Sequence, residues 1–514
     1  MPWLSRPRPA RCGRHSRCPG PPRPGIFRRR AEEPVMSYAA ARFAGAMVAA
    51  CIVAAGGGCG SRPPVSQPVP PVPPSAAPPA PLLIGAGSCT SAGCHAAPIA
   101  DHPPWQSAYT TWATRDPHAG AHDALQGPVA DRIIAALAVR DPSCPQPPAR
   151  ENMACVGCHA TGRGPTSGEG VSCESCHGPA GPWLVAHTAQ GWMTKGNRLG
   201  MVDLADPSTC AQTCAECHVG GPPTADGAIR EVTHDLVAAG HPRLAFELRS
   251  YKRAEPPHWR DRFATPGVDP AAGPIGEWAA GRLGTLESFL RQADSQVEAA
   301  ASGRRGLTAG VWPEFTAFDC HGCHRPAALA PAAARVVGPR TARPGWPRLE
   351  PMLWSHLDLF LPASACGPIL EARTAVERGW SRLPDRRLLG TAIEAAVQAR
   401  AELAAHVATI PSADLAGRIA AETDFTNWAE AVSAYGGLEA IAAHEAAAGR
   451  IAADGDVFVR LAGLRQLLEF PVESAGAKVE RFSSPRRYSA GEVAVTIREI
   501  ATALRVAPLP APRP

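Results

Sequence analysis

The sequence predicts a mainly α-helical protein with extensive coil, built in two parts. Three observations lead there. A five-residue signature, C-x-x-C-H, recurs between residues 155 and 324, with Pro- and Gly-rich chain between its copies. Aromatic residues make up only 6% of 514, few for a chain that must fill its own core. Beyond about residue 362 the chain turns Ala-rich, with apolar residues at helical spacing.

The signature is clean four times: Cys155-Val-Gly-Cys158-His159, Cys173-Glu-Ser-Cys176-His177, Cys214-Ala-Glu-Cys217-His218 and Cys320-His-Gly-Cys323-His324. This is the pattern of c-type haem attachment. The two thiols form thioethers with the haem vinyl groups, and the adjacent His becomes an axial ligand of the iron. Two C-x-x-C pairs could instead hold a structural zinc, and one pair could act as a redox dithiol. Neither chemistry requires a His after the second Cys. Only 17 of 514 residues are His, so four such placements do not arise by accident. A fifth, widened copy lies upstream at Cys89-Thr-Ser-Ala-Gly-Cys94-His95, with four residues between the thiols. It is read the same way, against a disulfide or free thiols beside an incidental His. Five c-type haems are therefore expected, with His95, His159, His177, His218 and His324 as proximal ligands. Several large, flat, apolar groups would supply the bulk that the missing aromatics do not.

Each iron has a sixth position to fill. The first part holds only Met153, Met193 and Met201, so most second ligands are expected to be His. His187 lies ten residues beyond His177, close enough for a turn and short helix to carry it over a neighbouring haem. His234 and His241 are seven apart, on one side of any helix there, each able to cap a different haem. His118 follows Pro117, which could start a helix. It is preferred over His122, one turn on. His102, His258 and His356 are weaker candidates, and His321 is read as polar packing. Cys158 and Cys173 are only 15 residues apart, which expects closely spaced haems.

The organisation expected along the chain is as follows. Residues 1–35 hold nine Arg and two Glu without periodicity and read as a leader outside the native protein. Residues 36–58 read as a signal peptide, with Arg42 ahead of a 12-residue apolar stretch. Gly56-Gly57-Gly58-Cys59 resembles a lipoprotein cleavage site, with Cys59 lipidated as a membrane tether. Residues 59–81 are a Pro-rich, extended spacer. Residues 82–347 form the haem-bearing domain, mostly loops and short helices, with one longer helix from Glu277 to Ala301. Residues 348–514 form a C-terminal helical domain with a short tail. Its helices are expected at Arg386 to Ile410, Asn427 to Arg450, Val457 to Phe470 and Gly491 to Arg505. Packing or docking is its expected role.

The net charge of +5 comes from the leader. Without residues 1–35 and Arg42 the rest carries −3, so nucleic acid has no electrostatic support as a partner. Of the other cysteines, Cys12, Cys18 and Cys51 precede the expected mature start. Cys144 and Cys366 could pair, and Cys210 is a spare thiol beside the Cys214 motif.

Around Gly170-Val-Ser-Cys-Glu-Ser-Cys-His-Gly-Pro179 the sequence resembles the multihaem c-type cytochromes typified by the tetrahaem electron-transfer partner of hydroxylamine oxidoreductase. Supporting stretches are Thr111-Trp-Ala-Thr-Arg-Asp-Pro-His118, Thr233 to Leu244, and Trp312-Pro-Glu-Phe315. The resemblance runs from Gly85 to His324. It implies a periplasmic, mainly helical electron-transfer protein with packed haems. It also implies distal roles for His118, His187, His234 and His241. The widened first motif and the C-terminal extension depart from the family. The function expected is one-electron transfer along mostly bis-His haems, between unidentified redox partner proteins. The alternative is a multihaem reductase or oxidase of a small nitrogen or sulfur compound at an open iron, with His102, His122 or Arg243 as proton donors.

Overall fold

The computed structural model describes residues 82–100, 102–140, 146–162, 166–192, 199–224, 227–258, 273–303, 312–320, 348–380, 382–422, 427–468 and 489–506. Residues 1–81 lie outside the described residues, and with them the expected leader, signal segment, Cys59 and spacer. The rest of the chain is helical. Among its described residues there is no strand, only isolated antiparallel bridges at Gly221–Arg230 and Phe318–Leu349.

Short helices carry the motifs: α1 (Ala108–Arg115), α2 (Pro128–Arg140), α3 (Met153–His159), α4 (Cys173–His177), α5 (Pro207–His218), α6 (His234–Ala239) and α7 (Leu248–Ala254). Local chemistry sets their starts. Asn152 caps α3 by accepting from Ala154 N at 3.0 Å, and Asp206 caps α5 with Pro207 at its first position. In each of α3, α4 and α5, the proximal His is the last helical residue. The signature thus occupies a final turn, which puts both thiols and the imidazole on neighbouring positions.

The long helix α8 (Pro274–Ala301) starts three residues before the expected Glu277, because Pro274 takes its first turn. Every residue from Ile275 to Leu290 is buried. A helix buried on all sides packs against neighbours on all sides. Here those neighbours are α5 and α7 on the motif side and the C-terminal helices on the other. Its polar residues are paired. Glu277 accepts from Arg249 at 2.8 Å and from Lys252, and Arg282 donates to the carbonyls of Met352 and, at 2.9 Å, Ser355. Arg249 also reaches Glu439 at 3.2 Å. No described helix is long and apolar enough to cross a membrane.

The C-terminal part contains α9 (Pro351–Trp354), α10 (Ala363–Glu377), α11 (Arg386–Val407), α12 (Ser412–Glu422), α13 (Trp428–Ala447), α14 (Asp456–Leu468) and α15 (Ala490–Val506). The four helices expected there are present, shortened or extended by one to three residues. Helices α10 and α12 had no expectation. Pro368 inside α10 breaks the sequence signal, but burial of Ala365, Ile369, Ala372 and Val376 against the bundle holds the helix together. The motif-bearing part is also more helical than expected, since α2 and α5 are three turns or longer.

Candidate metal centre

Four motifs are tied to one another by buried and half-buried polar side chains. Glu174, inside the Cys173 motif, is buried and accepts from Gly85 N at 2.8 Å, Ile84 N at 3.1 Å and Ala180 N at 2.7 Å. Glu169 accepts from Ala86 N at 2.8 Å. These bonds dock the segment entering the Cys89 motif onto the Cys173 motif, where the Cys89 and Cys173 thiols meet in hydrogen-bond contact. Thr161, just past the Cys155 motif, shares a hydrogen bond with Ser175 Oγ at 2.7 Å and accepts from Ser172 N at 2.6 Å. Arg230 donates to Gly157 O at 3.2 Å and pairs with Glu216 at 2.5 Å, which joins the Cys155 and Cys214 motifs. There the Cys158 and Cys217 thiols meet. Two glycines allow the close approaches. A Cβ on Gly157 would stand 2.2 Å from Ile229 O, and one on Gly170 (φ +73°) would stand 2.6 Å from His118 O.

Imidazoles far apart in sequence are opposed in space. His95 faces His187 with ring centroids 6.2 Å apart, His218 faces His118 at 6.0 Å, and His159 faces His241 at 6.4 Å. Two imidazoles on opposite sides of one metal, each nitrogen about 2 Å away, put ring centroids about 6.2 Å apart once a ring radius of about 1.1 Å is added at each end. All three pairs fit. The ring tautomers fit as well. Nδ1 donates to a backbone carbonyl in His95 (Trp105, 2.6 Å), His159 (Ala121, 2.9 Å), His187 (Leu184, 2.5 Å) and His241 (Pro242, 2.7 Å). That leaves Nε2 as the free lone pair, which is how metal-bound His is oriented. His118 Nδ1 instead lies 3.0 Å from Asp116 Oδ1. His218 packs between Phe246 and Tyr251, and burial pushes it down to about 4, so it is neutral and a lone-pair donor.

The remaining candidates fall elsewhere. Among the described residues, no imidazole ring opposes His177. Its Nδ1 is buried without a hydrogen-bond partner, and burial pushes it down to about 4, with the His258 charge as the next cause. His234 packs edge-on against Phe315, ahead of Cys320, and its backbone N donates to Glu314 at 2.7 Å. His234 and His241 do not share a helix face as expected. Gly240 ends α6 in the left-handed region (φ 114°), so His241 leaves in another direction, toward His159. His102 is exposed beside Gln106, and His356 is buried in the bundle against Ser433 Oγ at 2.9 Å, so neither lies at a motif. Arg243 is paired with Glu350. Cys323, His324, His321 and Cys144 lie outside the described residues. Cys366 is a free thiol, and the buried Cys210 hydrogen-bonds to Cys214.

A cavity of about 70 Å³ lies between His218 and the Glu314–Ala317 segment ahead of Cys320. Phe246, Phe289 and Leu353 form apolar lining, and Arg243, Glu314 and Glu350 form polar lining. The zinc alternative fares worse. The one described group of three or more converging donors is Asp116, His118 and Glu255, which contains no cysteine. The dithiol alternative needs a lowered thiol pKa. Burial instead pushes Cys155 up to about 11 and Cys176 to about 12, while Cys217 is drawn down to about 7 by the thiol of Cys158, from another motif.

Residues 89–178, which span the widened motif and the next two, match the family model for cytochrome c554 and c-prime. The match supports a multihaem c-type cytochrome, with haem c as cofactor and electron transfer as function. No curated protein and no solved structure matches the chain.

Sequence reasoning missed Asp116, Glu169, Glu174 and Gly170. The two Glu residues and the Gly flank or sit inside a motif, but only the fold reveals what they touch. Asp116 had a signal, since Asp-Pro-His is a turn in which the Asp side chain caps the backbone two residues on.

Proposed function

We propose that the chain is an exported, periplasmic pentahaem cytochrome c that passes single electrons along closely spaced haems, tethered to a membrane through lipidated Cys59. The observation that carries this reading is the set of three imidazole pairs. Each couples a motif His to a distant His at the spacing one iron requires. Haem iron, when bound, supplies a one-electron couple that keeps the same two axial ligands in both oxidation states. The protein's share is to hold the ring planes, bury the sites and keep the motifs in contact. Cys89, Cys94, Cys155, Cys158, Cys173, Cys176, Cys214, Cys217, Cys320 and Cys323 would attach the haems. His234 would serve the Cys320 motif, on whose approach segment it packs.

One observation favours a second reading. His177 has no opposed imidazole among the described residues, and His258 and Glu255 lie on the α7 side of that region. An open iron there could bind a small nitrogen or sulfur compound, and the chain would then be a reductase or oxidase.

The test is the spin state of every haem, by optical and electron paramagnetic resonance spectra with and without nitric oxide, together with the haem count on alkaline pyridine spectra. Electron transfer alone expects low-spin haems inert to the gas, apart from any at His177. A high-spin haem that binds the gas and turns over substrate would move the second reading ahead. Cys94→Ala is expected to lower the count from five to four, and an unchanged count would remove the widened motif from the set.

A further inference from the structure

Four of the six paired imidazoles turn Nδ1 to a backbone carbonyl; His118 turns it to a carboxylate. Its Nδ1 lies 3.0 Å from a carboxylate oxygen of Asp116, where His95, His159, His187 and His241 each use a neutral backbone carbonyl. Asp116 is 7% exposed, and the same Oδ1 accepts from His118 N at 2.9 Å. The turn at Pro117–Gly120 therefore locks the carboxylate against the ring. Glu255 adds a second carboxylate, with the donor atoms of all three residues within 4.8 Å of one another. With Nδ1 committed to Asp116, Nε2 is the nitrogen left to bind iron.

We propose that Asp116 is a positioning residue that lowers the potential of the haem held by His118 and His218, making it harder to reduce than the His95–His187 and His159–His241 haems. This rests on the axial role proposed for His118. A hydrogen bond to an ionised acceptor is roughly twice as strong as one to a neutral carbonyl. It draws the Nδ1 proton away and makes the imidazole a stronger donor. A stronger axial donor and a nearby negative charge both favour the oxidised iron. The chain thus holds an internal step in potential at this haem, set by one side chain.

The alternative is that Asp116 only caps its turn. Asp116→Asn separates the two, because the amide oxygen still accepts from His118 N while the charge is gone. Haem-loaded variants would be titrated potentiometrically with electron paramagnetic resonance detection. Ring planes cross at 68° in the His118–His218 pair and at 86° in His159–His241, against 14° in His95–His187, so the affected haem is one of two with crossed ligand planes and is told from the other as the one whose signal His118→Ala removes. At an unchanged haem count, Asp116→Asn is expected to raise the reduction constant of that haem roughly tenfold, a midpoint shift of about 59 mV for one electron. Asp116→Glu keeps the charge and should stay near the native midpoint. Unmoved midpoints, a uniform shift of all haems, or equal shifts in Asn and Glu variants would overturn the proposal. His118→Ala distinguishes the sources of failure. If it turns one haem high-spin while Asp116→Asn changes nothing, the axial pairing stands and the role of Asp116 falls. If all haems stay low-spin in His118→Ala, the pairing falls and takes the proposal with it.

Discussion

The region of the first three motifs and the C-terminal bundle are packed with different materials. Across the motifs, apolar side chains gather in small clusters, one around Leu125, Val156 and Ala160 and another around Ala180, Trp183 and Trp192. A single continuous core runs from Ala211 and Ala215 on α5 through Leu283, Leu290, Ile369, Leu389, Leu438 and Leu464 to Ile500. Clusters of that small size cannot offset the chain entropy of ordering so many loop residues. The motif region is therefore held by polar ties such as Glu174 and Thr161, to which the haems proposed above would add covalent links. The bundle is held by its own side chains.

The strongest way to break this contrast is to withhold haem. Protein made where no haem is attached should lose amide-exchange protection across residues 82–192. Helices α11, α13 and α15 should keep theirs. The measurement is hydrogen exchange by mass spectrometry, and the effect expected is loss of the whole motif region's structure. Retained protection around α3 and α4 would mean that the side-chain clusters suffice.

A smaller effect tests the other half. Leu389 on α11 is fully buried in the continuous core. Leu389→Ala leaves a cavity and should cost about 3 kcal/mol in denaturant unfolding of the bundle, with the haem count and axial spectra unchanged. Loss of haem in this variant would show that the two parts fold as one.

The same contrast explains what could be read from the sequence. Helices that bury one face against other helices show it in their spacing, as α11, α14 and α15 do, whereas α13, buried on nearly every side from Trp428 to Ala442, shows a run of small and apolar residues. Helix α10 was hidden because Pro368 argues against a helix that burial enforces. In the motif region, periodicity carried little, and C-x-x-C-H carried nearly everything. It singled out His95, His159 and His218, the motif imidazoles that the fold sets opposite a second ring. The partners His118, His187 and His241 were legible as candidates by their closeness to motifs, but their pairing was not. His187 faces His95, 92 positions upstream, because Glu174 and Glu169 dock residues 84–86 onto the third motif. Contacts of such range leave no local trace. The ending of α6 at Gly240 was visible as a glycine, yet its consequence, the separation of His234 from His241, needed the left-handed backbone.

The smallest expected effect concerns His356, which lies in the bundle rather than at an iron. Burial, and then the Arg282 charge, push its imidazole down to about 3. It is neutral in the fold and hydrogen-bonded to Ser433. A folded pKa below the unfolded value of about 6.5 means stability that is present above that value and lost as pH falls toward 3. Between pH 7 and pH 5 the loss should be on the order of 1–2 kcal/mol. His356 sits at φ +65°, which Asn tolerates better than most residues. His356→Asn should therefore keep the turn and flatten the acid limb of bundle stability, measured as denaturant midpoints against pH. The haem-bearing part should show no matching change, because His356 touches Ser433, Trp278 and Arg282, not a motif. Equal acid slopes in the native protein and the variant would show that the bundle's pH dependence arises from other groups.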